Sequence, residues 1–337
     1  MPVTVSSPTL PSRIQAMDGM LPQTHAPFIS EPRHEGRMQH TIRQPINSVG
    51  TGLHTGARIS LRLSPAPENT GIVFRRTDID MPPVVARYDM VVDTCLSTVL
   101  GCGTASGHAE RIATIEHLMA GLAGCGVDNI FIDVDGPEIP VFDGSAAEFV
   151  FLLECAGIVP QGAPRQYVHI NRTVRVEDGD AYAELSPTAQ PGLTIDISID
   201  FPAAAIGQQR YMTCVEPGQF REHLSRARTF VLQPEIDYLH SVGLARGGSL
   251  DNAVVVNGDS VVNPSGLRHP DEFVRHKVLD AIGDLYLAGG MVNGHFRGHK
   301  SGHTLNNRLL RKVFAEQANW RRAPLDASLT APRDRAA

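Results

Sequence analysis

At 337 residues, with 42% hydrophobic and 20% charged residues, the chain is long enough for two ordinary globular domains. Its formal net charge of −6 argues against a nucleic-acid partner, which would usually demand a basic surface. Five cysteines (Cys95, Cys102, Cys125, Cys155 and Cys214) are odd in number and contain no CxxC pair, so reduced thiols are expected and not a disulfide framework or a cysteine zinc site. No apolar run approaches the ~18 residues of a spanning helix, and no charged segment precedes an apolar core at the N-terminus; a cytoplasmic protein without a transmembrane segment is expected.

Residues 1–38 carry six prolines without sustained periodicity and read as a disordered extension. From Gln39, HTIRQPINSVGTGLHTG suggests a strand and a glycine-punctuated turn. ARISLRLSPAP and TGIVFRRTD follow as strands. IATIEHLMAGLA (112–123) reads as helix, GVDNIFIDVDG as strand, and DGSAAEFVFLLECAGI as a second helix with Asp143 its N-cap. The class is α+β.

A weak internal repeat accompanies these elements. Leu63-Ser64-Pro65 matches Leu185-Ser186-Pro187, Asp128-Asn129 matches Asp251-Asn252, and Glu148-Phe149-Val150 matches Glu272-Phe273-Val274, with offsets of 122, 123 and 124. Three matches in order suggest a duplicated α+β unit, giving domains at 39–160 and 161–322 and a tail at 323–337. The linker would be GIVPQGAPR at 157–165. In this register His276, Lys277 and Asp280 align with Leu152, Leu153 and Ala156. The first-half helix would then lack ligands, and a site would form asymmetrically at the domain junction.

The densest chemistry lies in DEFVRHKVLDAIGDLYLAGG, 271–290. Phe273, Val274, Val278, Ile282 and Leu285 recur at helical spacing, and His276, Asp280 and Asp284 align on one face. An imidazole and a carboxylate one turn apart can close on one Zn²⁺. Taken alone, the spacing better fits a surface ion-pair helix or a core histidine. Glu116-His117 offers a further ligand and a base on another helix, and His303 stands before a helix as a candidate acid with Asp284 to offset the helix's positive end. His54, His108, His269, His295 and His299 receive structural or surface roles.

Together these segments resemble the zinc-dependent UDP-3-O-acyl-N-acetylglucosamine deacetylases of lipid A biosynthesis. The resemblance is carried by GLHTG (52–56), TIEHLMAGLAGCGVDN (114–129), DGPEIPVFDGSAAEFV (135–150), SRARTF (225–230), EFVRHKVLDAIGDL (272–285) and KSGHTLNNRLL (300–310). It implies metal ligands at His117, His276 and Asp280, a general base at Glu116 and a cationic acid at His303. It also implies an oxyanion contact at Thr229, a site-lining lysine at Lys277 and an orienting carboxylate at Asp284. Phe230, Lys300 and Leu96 would face the substrate. The implied fold is two similar α/β layers with helices packed between two sheets and the active site at their junction. A βαβ insert at about 231–262 would serve the fatty acyl chain, although Val231-Leu232 stand where relatives often place glycine and an aromatic. The implied cofactor is one catalytic Zn²⁺, with Fe²⁺ acceptable to the same N/O ligands. The implied partner is a UDP-linked acylated glucosamine bound by a monomer.

Two other classes remain open on sequence. One is a binding module with structural zinc, disfavoured because structural sites normally close four protein ligands and only three converge here. The other is a zinc lyase acting on an acyl thioester.

Overall fold

The computed structural model describes residues 38–102 and 110–325; the extension before residue 38 and the tail beyond residue 325 lie outside the described residues. The first half contains β1 (Met38–Ile42), β2 (Ile46–Thr51), β3 (Arg58–Pro65), β4 (Ile72–Arg76) and the short strands β5 (Val84–Val85), β6 (Val91–Asp93), β7 (Val99–Gly101) and β8 (Arg111–Ile112). Helix α1 (Glu116–Cys125), strand β9 (Ile130–Val134), helix α2 (Ala147–Ala156) and strand β10 (Ile158–Pro164) complete it. Alternation makes the sheet: Ile59, Leu61 and Leu63 of β3 and Ile130, Ile132 and Val134 of β9 all point into the core. The strand order is β2-β3-β9-β4-β5, with β9 and β4 parallel and the other neighbours antiparallel.

The second half runs β11 (Tyr167–Ile170), β12 (Val174–Asp178), β13 (Ala181–Ser186), β14 (Leu193–Asp200) and β15 (Gln208–Cys214). A single turn, α3 (Pro217–Gln219), continues as π-helix over Phe220–Leu224. Then come β16 (Phe230–Leu232), α4 (Gln233–Ser241), β17 (Val254–Asn257) and β18 (Ser260–Val261), followed by α5 (Glu272–Tyr286), β19 (Val292–His299), α6 (His303–Ala315) and β20 (Trp320–Ala323). Here the order is β12-β13-β19-β14-β15, with β19 and β14 parallel and the other neighbours antiparallel; β11 and β20 are added beside the start of β19. The two five-strand patterns agree in order and direction. Strands β16 and β17 pair in parallel around α4, a βαβ unit within the segment expected to be an insert.

The topology corrects the tripeptide register. In the first sheet α1 precedes the central strand β9 and α2 follows it; in the second, α5 precedes β19 and α6 follows. Element order therefore pairs α5 with α1, whereas the tripeptides pair α5 with α2. Asp251-Asn252 likewise precede β17 of the βαβ unit and not a central strand. The first-half helix that holds the same place in the element order as α5 carries the candidate ligand His117 and, beside it, Glu116.

Three local expectations also change. The 157–165 linker is β10, paired antiparallel with β1 through Ile42↔Ile158 and His40↔Pro160. Its prolines are tolerated because both strands of a two-stranded ribbon are edges. The helix expected from residue 112 begins at Glu116, because Thr114 has φ 59°, outside the right-handed helical region. Asp143 does not cap α2: its Oδ1 accepts from the amide and hydroxyl of Ser145, and Ala146 is the N-cap.

What positions the site is the crossing of α1 and α5, which pack together in the core. A Cβ on Gly283 would sit 2.1 Å from the Glu116 carbonyl oxygen and 3.1 Å from the Ala120 nitrogen. Only glycine lets the backbones approach so closely. The contact falls between Asp280 and Asp284 on one helix and at the start of the other.

Candidate active site

Glu116 and His117 open α1, and both are buried. Thr114 redirects the chain just before them in a left-handed conformation that β-branched residues rarely hold, and its buried hydroxyl has no hydrogen-bond partner among the described residues. His276, Asp280 and Asp284 project from α5 and are likewise buried, so the charged stripe is no solvated face.

The crossing brings His117, His276 and Asp280 together, with one donor atom from each lying within 4.8 Å of the others. His276 Nδ1 donates to the Ala227 carbonyl at 3.0 Å, which leaves Nε2 as the lone-pair nitrogen, 3.3 Å from Asp280 Oδ1. His117 Nε2 lies 3.6 Å from the same oxygen. Burial lowers the His276 pKa to about 4, so the ring is neutral as a ligand must be. Asp280 Oδ2 accepts from Lys277 Nζ at 2.7 Å, while Oδ1 is buried with no hydrogen-bond donor among the described residues. A buried carboxylate oxygen left unsatisfied between two imidazole nitrogens is costly on its own and fits a divalent cation. These residues suit zinc, with the pocket side left open.

Around this cluster lie two further titratable groups, Glu116 and His303. Burial pushes the Glu116 carboxyl above its ordinary range, against the opposing pull of His303 and His117. One oxygen, Oε2, accepts the Thr98 amide at 3.0 Å, and Oε1 lies 3.9 Å from His303 Nε2. His303 is the first residue of α6. Burial alone would lower its pKa, but Asp284, with Oδ2 2.8 Å from Nδ1, and the nearby carboxylates of Glu116 and Asp280 together outweigh burial and raise it to about 9. The imidazolium therefore persists at neutral pH. Asp284 is satisfied on both oxygens, by Thr98 Oγ1 at 2.6 Å on Oδ1 and by Asn306 Nδ2 at 2.9 Å on Oδ2.

A pocket of about 260 Å³ gathers these groups. Glu116, His117, His276, Lys277, Asp280 and His303 line its polar side; Thr229, Phe230 and Leu96 line it as well. Thr229 is held by its amide on the Gly144 carbonyl at 2.8 Å, and Phe230 packs edge-on against Phe201 and Phe273. Leu96 is 52% exposed at φ 66°. Asp284 stands behind the pocket, reaching it through His303. Lys300 lies elsewhere: its Nζ binds Asp180 at 2.7 Å and Asp200 at 3.2 Å, and it is not among the lining residues.

Sequence reasoning missed Thr98, Asn306, Thr114 and Phe201. Asn306 was within reach, three residues after His303 and on its helical face. Thr98 lies two residues after the pocket-lining Leu96, but far in sequence from the Asp284 it reaches, and no local pattern marks that bond.

The family model for UDP-3-O-acyl N-acetylglycosamine deacetylase matches residues 39–315. Curated proteins named UDP-3-O-acyl-N-acetylglucosamine deacetylase align over most of the chain. That of Shewanella frigidimarina is 47% identical over 297 residues, and that of Pasteurella multocida is 47% identical over 298 residues. That of Idiomarina loihiensis is 48% identical over 300 residues, and each of the three alignments covers 87% of this chain and 95% of the relative. A match of this extent, over a chain whose buried His/His/Asp cluster adjoins Glu116 and His303, places the protein in the UDP-3-O-acyl N-acetylglycosamine deacetylase family.

Proposed function

We propose that this chain is a zinc-dependent hydrolase that removes the N-acetyl group from UDP-3-O-(3-hydroxyacyl)-N-acetylglucosamine. The products are acetate and the free amine, and the reaction is the committed step of lipid A biosynthesis. The observation that carries the reading is the orphaned Asp280 Oδ1 between His117 and His276, with Glu116 and His303 beside it. His117, His276 and Asp280 would hold the ion. When bound, zinc supplies Lewis acidity toward the acetamide carbonyl and lowers the pKa of water.

The protein's own groups do the rest. Glu116 accepts a proton from the attacking water, a role suited to a buried carboxylate whose pKa is displaced toward neutrality. Thr229 and cationic His303 stabilise the tetrahedral oxyanion, usually the largest single catalytic contribution. His303 then gives a proton to the departing amine, and Asp284 keeps it charged and oriented. Lys277 remains an ammonium because Asp280 outweighs the opposing effect of burial, and it offers positive charge to the substrate. Phe230 and Leu96 form the walls of the sugar and acyl site, and Lys300 would reach the nucleotide only by leaving Asp180 and Asp200.

The same reading assigns two domains, 39–160 and 161–322, to an ancestral duplication. The identical order and sense of β2-β3-β9-β4-β5 and β12-β13-β19-β14-β15 support it. The site then lies where the equivalent helices α1 and α5 meet, with the β16-α4-β17 unit serving the acyl chain of a substrate bound by a cytoplasmic monomer. The test is metal content together with acetate release from the UDP-sugar. Stoichiometric zinc with release of acetate supports the reading. Zinc without turnover would favour a binding module, turnover of an acyl thioester alone would favour a lyase, and full activity with Fe²⁺ but not zinc would change the assigned ion.

A further inference from the structure

We propose that Thr98 is a positioning residue that holds the base Glu116 and, through Asp284, the acid His303 in one fixed arrangement. The inference rests on the roles given above to Glu116 and His303, and adds a residue to them.

Thr98 is 2% exposed and immediately precedes β7, which is paired on both edges by β6 and β8. All three of its polar groups are used across the site. Its amide donates to Glu116 Oε2 at 3.0 Å, its carbonyl accepts the Ile115 amide at 3.4 Å, and its hydroxyl donates to Asp284 Oδ1 at 2.6 Å. The main chain of one residue thus fixes the start of α1 and the carboxylate it carries. The side chain of that residue reaches α5.

The geometry at Asp284 gives the hydroxyl a specific task. Oδ2 faces His303 Nδ1 and Asn306 Nδ2, both from α6, so both bonds pull on the same oxygen. Thr98 is the only hydrogen-bond donor to Oδ1 among the described residues. Without it, the carboxylate would be free to turn about its terminal torsion, which is broad and shallow, and the direction of the His303 ring would follow. A threonine suits this task better than a serine in stiffness, because branching at Cβ restricts its rotamer. The same loop is tied to α6 as well, by Thr94 Oγ1 2.9 Å from Thr304 Oγ1, next to His303.

The test uses the zinc-loaded enzyme and the UDP-sugar substrate. Thr98→Val removes the hydroxyl while keeping shape and the amide bond to Glu116. We expect normal zinc content and KM, with kcat reduced about 10–100-fold, the scale seen when outer hydrogen-bond partners of a site are removed. Thr98→Ser should recover most of that loss. A kcat for Thr98→Val within twofold of the parent, a rise in KM with kcat unchanged, or a serine variant no better than valine would each overturn the proposal. If Thr98→Val does not fold, Thr98→Ala in a cycle with Asp284→Asn serves instead. The alanine change should cost little once Asp284 is altered, and a fully additive loss would overturn the coupling. Glu116→Gln and His303→Gln are measured alongside. If those two keep parental turnover the parent reading falls, whereas if they are inactive and Thr98→Val is fully active, only the role of Thr98 falls.

Discussion

Asp284 and His303 stand on different helices and are joined by a 2.8 Å contact between Oδ2 and Nδ1, so that a buried imidazole is kept cationic by a buried carboxylate. The pair sets the pH behaviour of the site. With the His303 pKa at about 9, the imidazolium form holds through neutrality, and kcat/KM should fall only as pH rises through that region. Asp284→Asn removes the stabilising charge and should move the basic limb to lower pH. His303→Gln should keep its zinc, lose about 10²-fold or more in kcat and lose the original basic limb. Steady-state pH profiles check both, and an unchanged limb in both variants would assign it to another group.

The same pair has a stability consequence with a definite sign. A group whose folded pKa lies above the unfolded value of about 6.5 contributes fully below that value, and its contribution is lost as pH rises through about 9. Thermal melts of the metal-free protein should therefore lose more stability between those limits than melts of His303→Gln.

His276→Ala or Asp280→Ala should lose most bound zinc and nearly all activity while the fold survives. Helix α5 keeps Phe273, Val274, Val278, Ile282 and Leu285 buried in the core. Metal analysis beside circular dichroism checks this, and stoichiometric zinc at parental affinity would remove either residue from the ligand set.

Gly283→Ala tests the helix crossing. Its Cβ would have to displace the Glu116 carbonyl, which is backbone and does not yield as a flexible side chain would. Overpacking of this kind costs about 1–3 kcal/mol, and it should reduce zinc affinity together with stability because the two helices carry the ligands. Denaturant titration and zinc titration measure the two effects.

Arg228→Met tests the loop that carries Thr229. Glu272 is fully buried, and its Oε1 accepts from Arg228 Nε at 2.9 Å and from the Arg228 amide at 3.0 Å. Removing the cation strands a buried carboxylate, which costs about 3–5 kcal/mol. Burial raises the Glu272 pKa, but the hydrogen bonds from Arg228 outweigh it and depress it overall. The stabilisation from Glu272 is therefore present above the ordinary carboxylate range and lost as pH falls through the folded pKa. Urea melts at neutral and acid pH should show the deficit of the variant shrinking toward the acid side.

The chemistry of α5 was legible because its three acidic and imidazole groups lie one turn apart, where helical spacing alone aligns them. The Thr98–Asp284 bond was not, because it joins residues whose nearness depends on how β7 lies against α5. The proline-bearing segment 157–165 was misread for a related reason: proline marks a chain that cannot enter the middle of a sheet, yet an edge ribbon accepts it. The tripeptide register does not follow the element order of the two sheets, because short apolar-acidic tripeptides recur wherever a helix begins. What distinguishes α1 from α2 is position relative to the central strand, which only the strand pairing reveals.

The split origin of the three residues proposed to hold the ion has a mechanical consequence. His117 belongs to the half that ends with β10, and His276 and Asp280 to the half that begins with β11. A bound ion thus closes a very long chain loop and acts as a tether across the α1–α5 seam, and such closure removes conformations chiefly from the unfolded chain. Chelation should accordingly loosen that seam first, exposing the helix faces that Gly283 holds in contact.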